Sequence, residues 1–215
     1  MGVVIVIIKG QYQVDYGSGL QIKCPACNSV GIFTNVDSCN DLVEVNSSIR
    51  MGQRLCPNNK CRCHVFVVYG YSKGVIKVYP VSPIDFNKDD IPVRISAALS
   101  EAIVCHAEGL YISSAIMVRR TLEELCEDKG CKGGNLHQRI KELEKCITIP
   151  VDLIPALDEL RIIGNDAAHI EAKAYDQIGA EEVEISIELA KEILKATYQM
   201  GSLVARLKGL KKPVK

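Results

Sequence analysis

Hydrophobic positions divide the chain into two unlike parts. In the first third, short β-branched and aromatic runs alternate with turns rich in Gly and Asn, and the runs 65–69 and 75–79 predict a hairpin. From about residue 92 onward, apolar residues recur every three or four positions, as in amphipathic helices. The pattern therefore predicts an α+β chain, with a small N-terminal β module followed by an all-α bundle of about five helices.

The predicted helices differ in their signals. The first begins at Pro92 and ends before Gly109, the second spans 111–129, and Asn135 is the expected N-cap of the third. The fourth spans about 151–169 and contains Gly164, which predicts a bend or a close helix contact. The last is predicted to be the longest, and its 3.5-residue spacing favours a bundle seam or a partner helix: Leu189, Ile193, Ala196, Met200, Leu203 and Leu207.

Breaks in both periodicities set the expected domain boundaries. A β module is predicted over residues 1–80, a linker rich in Pro, Asp and Asn over 81–91, the helical domain over 92–210, and a basic tail over 211–215.

Charge and hydropathy exclude some classes of partner. Lys plus Arg and Asp plus Glu both number 26, so any binding of nucleic acid must come from a local patch. The apolar run 3–8 is too short to span a bilayer and lacks the flanks of a signal peptide. It is interpreted as a β-strand in a cytoplasmic protein with no membrane partner.

The ten cysteines are unevenly spread, and six of them lie between Cys24 and Cys63. Two turns, Cys24/Cys27 and Cys56/Cys61, each supply two thiolates and each have Pro after the first cysteine, which predicts a closed, structural Zn²⁺ site. Together with the hairpin they describe a zinc ribbon. Three neighbouring residues stay open as replacement ligands: Cys39, Cys63 and His64.

A polar stripe is predicted on the fourth helix. Arg161, Asn165 and His169 are each four residues apart, so they share one helix face among small and apolar neighbours. The stripe either binds a ligand in a groove or satisfies buried polar groups as a packing device.

Three stretches of the helical part carry a family resemblance: residues 115–126, Asn135-Leu136, and residues 161–169 with the sequence RIIGNDAAH. They resemble a prokaryotic domain-of-unknown-function family of the HEPN superfamily, in which a zinc ribbon commonly precedes the helical domain. The resemblance implies a HEPN-type helical bundle that forms a homodimer.

Active HEPN members are metal-independent endoribonucleases of phage-defence and toxin systems. The resemblance implies that His169 takes the proton from a ribose 2′-OH, that Arg161 neutralises charge on the phosphate, and that Asn165 orients the phosphate or the imidazole. These groups would face their copies at a dimer cleft, and RNA would be cut while DNA is spared.

A second interpretation is a non-catalytic HEPN module that binds nucleic acid or a protein from the same locus. The seven residues between Arg161 and His169 exceed the spacing typical of active members, and Ile162 stands where a polar residue usually follows the Arg. The spacing and the closed four-cysteine zinc site both favour this non-catalytic interpretation.

Overall fold

The structure is a computed structural model, and it describes residues 12–15, 17–37, 39–44, 48–70, 74–147, 150, 153–168 and 178–210. The described residues divide into two compact units, one that ends at Asp85 and one that begins at Phe86. The predicted strand at 3–8, the end of the fourth helix at His169 and the tail 211–215 lie outside the described residues.

The first unit is an antiparallel β-sheet of seven described strands. β-Branched and aromatic residues dominate the two strands of the predicted hairpin, as the sequence pattern predicts. The strands are β1 Tyr12–Asp15, β2 Leu20–Lys23, β3 Val30–Asn35, β4 Asp41–Glu44, β5 Ile49–Leu55, β6 His64–Gly70 and β7 Gly74–Tyr79.

Strand β5 is the centre of this sheet. One of its edges pairs with β6 along its whole length, and β6 pairs onward with β7 to form the predicted hairpin. The other edge is shared, because β4 pairs at Met51 and Arg50 while β3 pairs at Leu55 and Arg54. A small core forms against the sheet from Ile22, Cys24, Phe33, Cys56, Val65, Val67 and Tyr69.

A buried ion pair lies inside this unit, and the sequence analysis did not predict it. Arg54 and Asp41 are both fully buried, and the guanidinium donates to both carboxylate oxygens at 2.7 and 2.5 Å. The Tyr69 hydroxyl also donates to Asp41, and Arg54 Nε donates to the Ser18 carbonyl at 3.0 Å. Gly52 makes room for the pair, because a Cβ there would lie 1.9 Å from Asp41 Oδ1.

The second unit is a helical bundle. Five helices form it, and the fifth continues past a π-helical turn as a sixth segment. The bounds are α1 Val93–Ala107, α2 Tyr111–Asp128, α3 Leu136–Cys146, α4 Leu153–Ala168, α5 Ala180–Leu194, the π turn Lys195–Gln199 and α6 Met200–Gly209. The structure thus confirms the predicted α+β class, a β-sheet region followed by a helical region.

The helix ends follow local chemistry. The Asn135 side chain accepts a hydrogen bond from Gln138 N at 3.0 Å, which confirms Asn135 as an N-cap. Gly109 and Gly130, with φ of 78° and 68°, follow the ends of α1 and α2 as expected. Pro92 was predicted as the first helical residue and is instead the N-cap, because its ψ of 139° is extended.

The prediction of one continuous apolar seam along the last helix is wrong. The main chain passes through a π turn at Lys195–Gln199, which shifts the helical register, so one apolar seam does not run from Leu189 to Leu207. The buried face of α5 is formed by Val183, Ser186, Ile187, Ala190, Ile193 and Leu194, whereas the side chains of α6 are exposed or half-buried. Among the described helices, none combines the length and apolar character needed to cross a membrane.

Candidate functional site

Two cysteine turns bring four thiols together in the β unit. The Sγ atoms of Cys24, Cys27, Cys56 and Cys61 all lie within 4.8 Å of one another. Cys24 and Cys56 are buried, while Cys27 and Cys61 are half-buried at the edge of the core. Four converging thiols form a donor set that fits a metal ion, and the cluster fits a zinc-ribbon module.

The two turns are built alike although their loops differ in length. The backbone N–H of Cys24 donates to the Ser29 carbonyl, and that of Cys56 donates to the Cys63 carbonyl, both at 2.9 Å. In each turn the acceptor is the residue two positions after the second cysteine.

Left-handed residues complete both turns. The residue directly after the second cysteine has a positive φ in each case, 58° at Asn28 and 47° at Arg62. Because the two turns share this backbone geometry, each presents its two cysteine sulfurs to a metal in the same way.

Hydrogen-bond donors surround the sulfur atoms. Backbone N–H groups two residues on donate to the sulfurs of Cys27, Cys56 and Cys61. The Asn58 side-chain amide also donates to Cys27 Sγ at 3.7 Å. Such donors stabilise thiolate charge and orient ligands around a metal.

The thiols differ in acidity. The hydroxyl and then the backbone N–H of Ser29 lower the pKa of Cys27 to about 6. Burial raises the pKa of Cys56 to about 12, so a bound cation would be needed to keep it deprotonated near neutral pH.

Of the three residues that stayed open as replacement ligands, Cys63 lies beside this group of sulfurs, where its thiol interacts with that of Cys24, but it does not belong to the group. The Cys63 thiol donates to the His64 carbonyl at 3.5 Å, and the Cys63 carbonyl closes the second turn. Neither Cys39 nor His64 belongs to the metal-competent group found among the described residues.

A second candidate site lies where α2 crosses α4. A Cβ at Gly164 would lie 2.4 Å from Arg119 Cβ and 3.0 Å from the Ala115 carbonyl, so the two helices touch through the glycine. This close contact, which the sequence predicted, sets Arg119 beside Arg161. Arg119 Nη1 donates to the Arg161 carbonyl at 3.3 Å, and its Nε pairs with Glu123 at 3.1 Å.

Asp158 connects α4 to the start of α3. Its Oδ1 accepts hydrogen bonds from Arg161 Nε at 2.6 Å and pairs with His137 Nδ1 at 2.8 Å, while Oδ2 accepts from Arg161 Nη2 at 3.3 Å. The Arg161 guanidinium, and after it His137, lower the pKa of Asp158 to about 2. The carboxylate therefore stays ionised at neutral pH and fixes both neighbouring side chains.

These groups line one open pocket of about 390 Å³. Its walls come from α2, α4 and the N-terminal end of α3, all in a single chain. Two guanidinium groups, one imidazole and two carboxamides face it, and these are side chains that hydrogen-bond to phosphate and ribose oxygens. The lining residues are Arg119, Asn135, Leu136, His137, Arg161 and Asn165.

The structure therefore places two of the three predicted stripe residues together. Arg161 and Asn165 line the same pocket, and His169 lies outside the described residues. Sequence reasoning missed His137 and Asp158. The Asp158 signal was present, because residue 158 is three positions before Arg161 and shares its helix face. His137 lies on another helix, so only the fold brings it to this position.

Comparison with protein-family models identifies the helical unit. The model for the domain of unknown function DUF4145 matches residues 100–212, and the chain belongs to that family. No curated protein and no solved structure shows a significant match to the chain. The predicted membership of a domain-of-unknown-function family is confirmed at this level.

Proposed function

We propose that this protein is a HEPN-like endoribonuclease of a prokaryotic defence or toxin-type system, and that the pocket between α2, α3 and α4 binds the RNA phosphate. The observation that carries the proposal is the set of donors in that pocket, above all Arg119 and Arg161 side by side. Two arginines that line one pocket can donate to the oxygens of a phosphodiester, and Glu123 and Asp158 pair with them and offset their charge.

The proposed reaction is transphosphorylation. The ribose 2′-oxygen attacks the neighbouring phosphorus, the P–O5′ bond breaks, and the products are a 2′,3′-cyclic phosphate and a free 5′-hydroxyl. His169 takes the 2′-OH proton, Arg161 stabilises charge on the non-bridging oxygens, and Asn165 orients the phosphate. No metal takes part in this chemistry.

A defined oligoribonucleotide tests the activity. In the presence of a chelator of free metal, wild-type protein should cleave RNA and leave the 2′-deoxy analogue intact. The His169→Ala variant should be slower by about 100-fold or more, because a general base contributes that much. His106→Gln is the matched control, since that histidine contacts the Ala180 carbonyl on a different part of the bundle. Equal cleavage by wild type and His169→Ala would refute the assignment.

One observation favours a second function, a non-catalytic module that binds RNA or a protein partner from the same locus. Two nitrogens of Arg161 already bind Asp158, so this guanidinium is committed to the fold as well as to the pocket. Under this alternative, wild-type protein retains RNA without cleaving it, and Arg119→Ala weakens that binding and lowers its salt dependence.

We also propose that the four-cysteine cluster binds zinc. Four sulfurs at about 2.3 Å from a tetrahedral Zn²⁺ are separated from one another by about 3.8 Å. The Cys24–Cys61 and Cys27–Cys56 sulfur pairs are 3.7 and 3.8 Å apart, far longer than a disulfide and close to that tetrahedral edge. Bound zinc would supply a closed structural cross-link rather than catalysis.

Homodimerisation and a cytoplasmic location complete the proposal. Several large apolar side chains of α6 are exposed, with Leu207 63% accessible, and such a row supports contact with a second copy. None of the ten cysteines forms a disulfide, which supports a reducing compartment. A single species of monomer mass in light scattering, even at high protein concentration, would refute the dimer.

A further inference from the structure

Transphosphorylation of RNA moves two protons, and the proposed function accounts for only one of them. A base must take the proton from the 2′-OH, and an acid must give one to the 5′-oxygen as the P–O5′ bond breaks. The second group must lie in the same pocket as the phosphate-binding arginines. The following inference rests on the proposed function and identifies that group.

The described lining of the pocket contains one side chain suited to this task. Guanidinium and carboxamide groups do not release protons near neutral pH, so Arg119, Arg161, Asn135 and Asn165 can bind a phosphate but cannot act as the acid. His137 is the titratable side chain among the described lining residues. Its side chain is 43% exposed, so substrate can reach it.

Asp158 holds His137 in the orientation that an acid needs. The Nδ1 atom of His137 lies 2.8 Å from Asp158 Oδ1 and donates its hydrogen to that carboxylate. A neutral ring with its hydrogen on Nδ1 has a bare Nε2, so His137 acts as an acid only as the imidazolium, whose second proton on Nε2 is the one that can pass to substrate. The same carboxylate oxygen accepts from Arg161 Nε at 2.6 Å, so one group positions both the proposed acid and the phosphate-binding arginine.

We infer that His137 is the general acid of this pocket and that it protonates the departing 5′-oxygen of RNA. As the 2′-oxygen bonds to phosphorus, the electron pair of the P–O5′ bond passes to O5′ and the proton on His137 Nε2 follows it. His169 gains the 2′-OH proton in the same reaction, so the two histidines exchange protonation states and water restores them. Asp158 is a positioning residue, since it acts through His137 and Arg161.

A leaving group that needs no proton tests this role. Wild-type and His137→Gln protein are compared on two oligoribonucleotides that differ only at the cleaved linkage, one with the natural 5′-oxygen and one with a bridging 5′-sulfur. On the oxygen substrate, His137→Gln should be slower by about 100-fold or more, as expected for loss of an acid. On the sulfur substrate it should cleave within about threefold of wild type, because a thiolate leaves without protonation.

The outcomes separate this inference from the proposed function. If His137→Gln lost the same factor in cleavage rate on both substrates, or lost none on either, the acid role would be overturned. Cleavage by wild type would still support the nuclease. Absence of cleavage of both substrates by wild type would refute the nuclease and the acid together. His169→Ala should lose activity on both substrates, because base catalysis is needed with either leaving group, and His106→Gln should match wild type throughout. Since His137 is partly exposed, circular dichroism of His137→Gln should be unchanged.

Discussion

Gly164 is the residue on which the geometry of the polar pocket depends. Replacing Gly164 with Val puts a branched side chain where a Cβ alone would lie 2.4 Å from Arg119 Cβ, so α2 and α4 must separate. We expect a loss of about 1 to 3 kcal/mol in the free energy of unfolding, measured by urea denaturation followed at 222 nm.

The matched control is Gly201→Ala in α6. A Cβ at Gly201 meets no atom within 4 Å, so alanine there should leave the bundle as stable as wild type or more stable by up to about 1 kcal/mol. If Gly164→Val were as stable as wild type, the close contact between α2 and α4 would be wrong.

Asp158 gives a pH-dependent prediction. Its pKa in the folded protein is about 2, below the ordinary value near 3.9 of an unfolded chain, so its contribution is full above pH 4 and is lost as pH falls through 2. We expect Asp158→Asn to be less stable than wild type by about 1 kcal/mol at pH 7, after allowance for solvent screening. Urea midpoints measured between pH 7 and pH 2.5 should converge as the acid limit is approached. A gap that stays constant over that range would contradict the assignment.

The buried pair in the β unit should be far more sensitive than the surface pairs. Arg54→Leu leaves Asp41 charged and buried without its partner, and we expect a loss of about 3 to 5 kcal/mol in the free energy of unfolding. Arg120→Ala removes an exposed guanidinium from Glu124, whose carboxylate keeps Arg94 as a partner, and should change stability by less than about 1 kcal/mol. If denaturant unfolding gave similarly small losses of stability for Arg54→Leu and Arg120→Ala, the burial of the Arg54–Asp41 pair would be contradicted.

At the scale of elements, the cysteine turns predict which thiols hold the metal. Protein purified without chelator should contain one zinc ion per chain by elemental analysis. Cys27→Ser should lose most of that zinc, because a hydroxyl is a poor substitute for a thiolate. Cys63→Ser should retain it, since the Cys63 backbone carbonyl rather than its thiol serves the turn. If Cys27→Ser retained its zinc while Cys63→Ser lost it, Cys63 rather than Cys27 would be the ligand.

Periodicity predicted the elements well but not every contact between them. The hairpin, the N-cap at Asn135 and the close contact at Gly164 follow from local signals and are present. The π turn was not predictable, since residues 195–199 carry no glycine or proline to mark it. His137 and Arg54 were missed for another reason, because their partners lie 21 and 13 residues away and only the folded chain brings them together.

At the scale of the whole molecule, the two units should respond differently to metal removal. Zinc would lie within the core of the β unit, whereas the helical unit has its own apolar core and holds no part of the cysteine cluster. A strong chelator in mild denaturant should therefore abolish the β-sheet signal while most helical ellipticity at 222 nm remains. If the β-sheet and helical signals were lost together, the helical unit would depend on the metal as the β unit does, and the prediction would be wrong.

The spacing of the two turns also bears on how the β unit folds. An ion held between Cys27 and Cys56 closes a loop of 28 residues that contains β3, β4 and β5. By analogy with a disulfide, a cross-link of that span lowers the conformational entropy of the unfolded chain. This raises the free energy of unfolding by roughly 3 to 4 kcal/mol at room temperature. The supply of metal during synthesis would then govern whether newly made chains fold or are degraded, and cellular levels of the protein should fall when zinc is scarce.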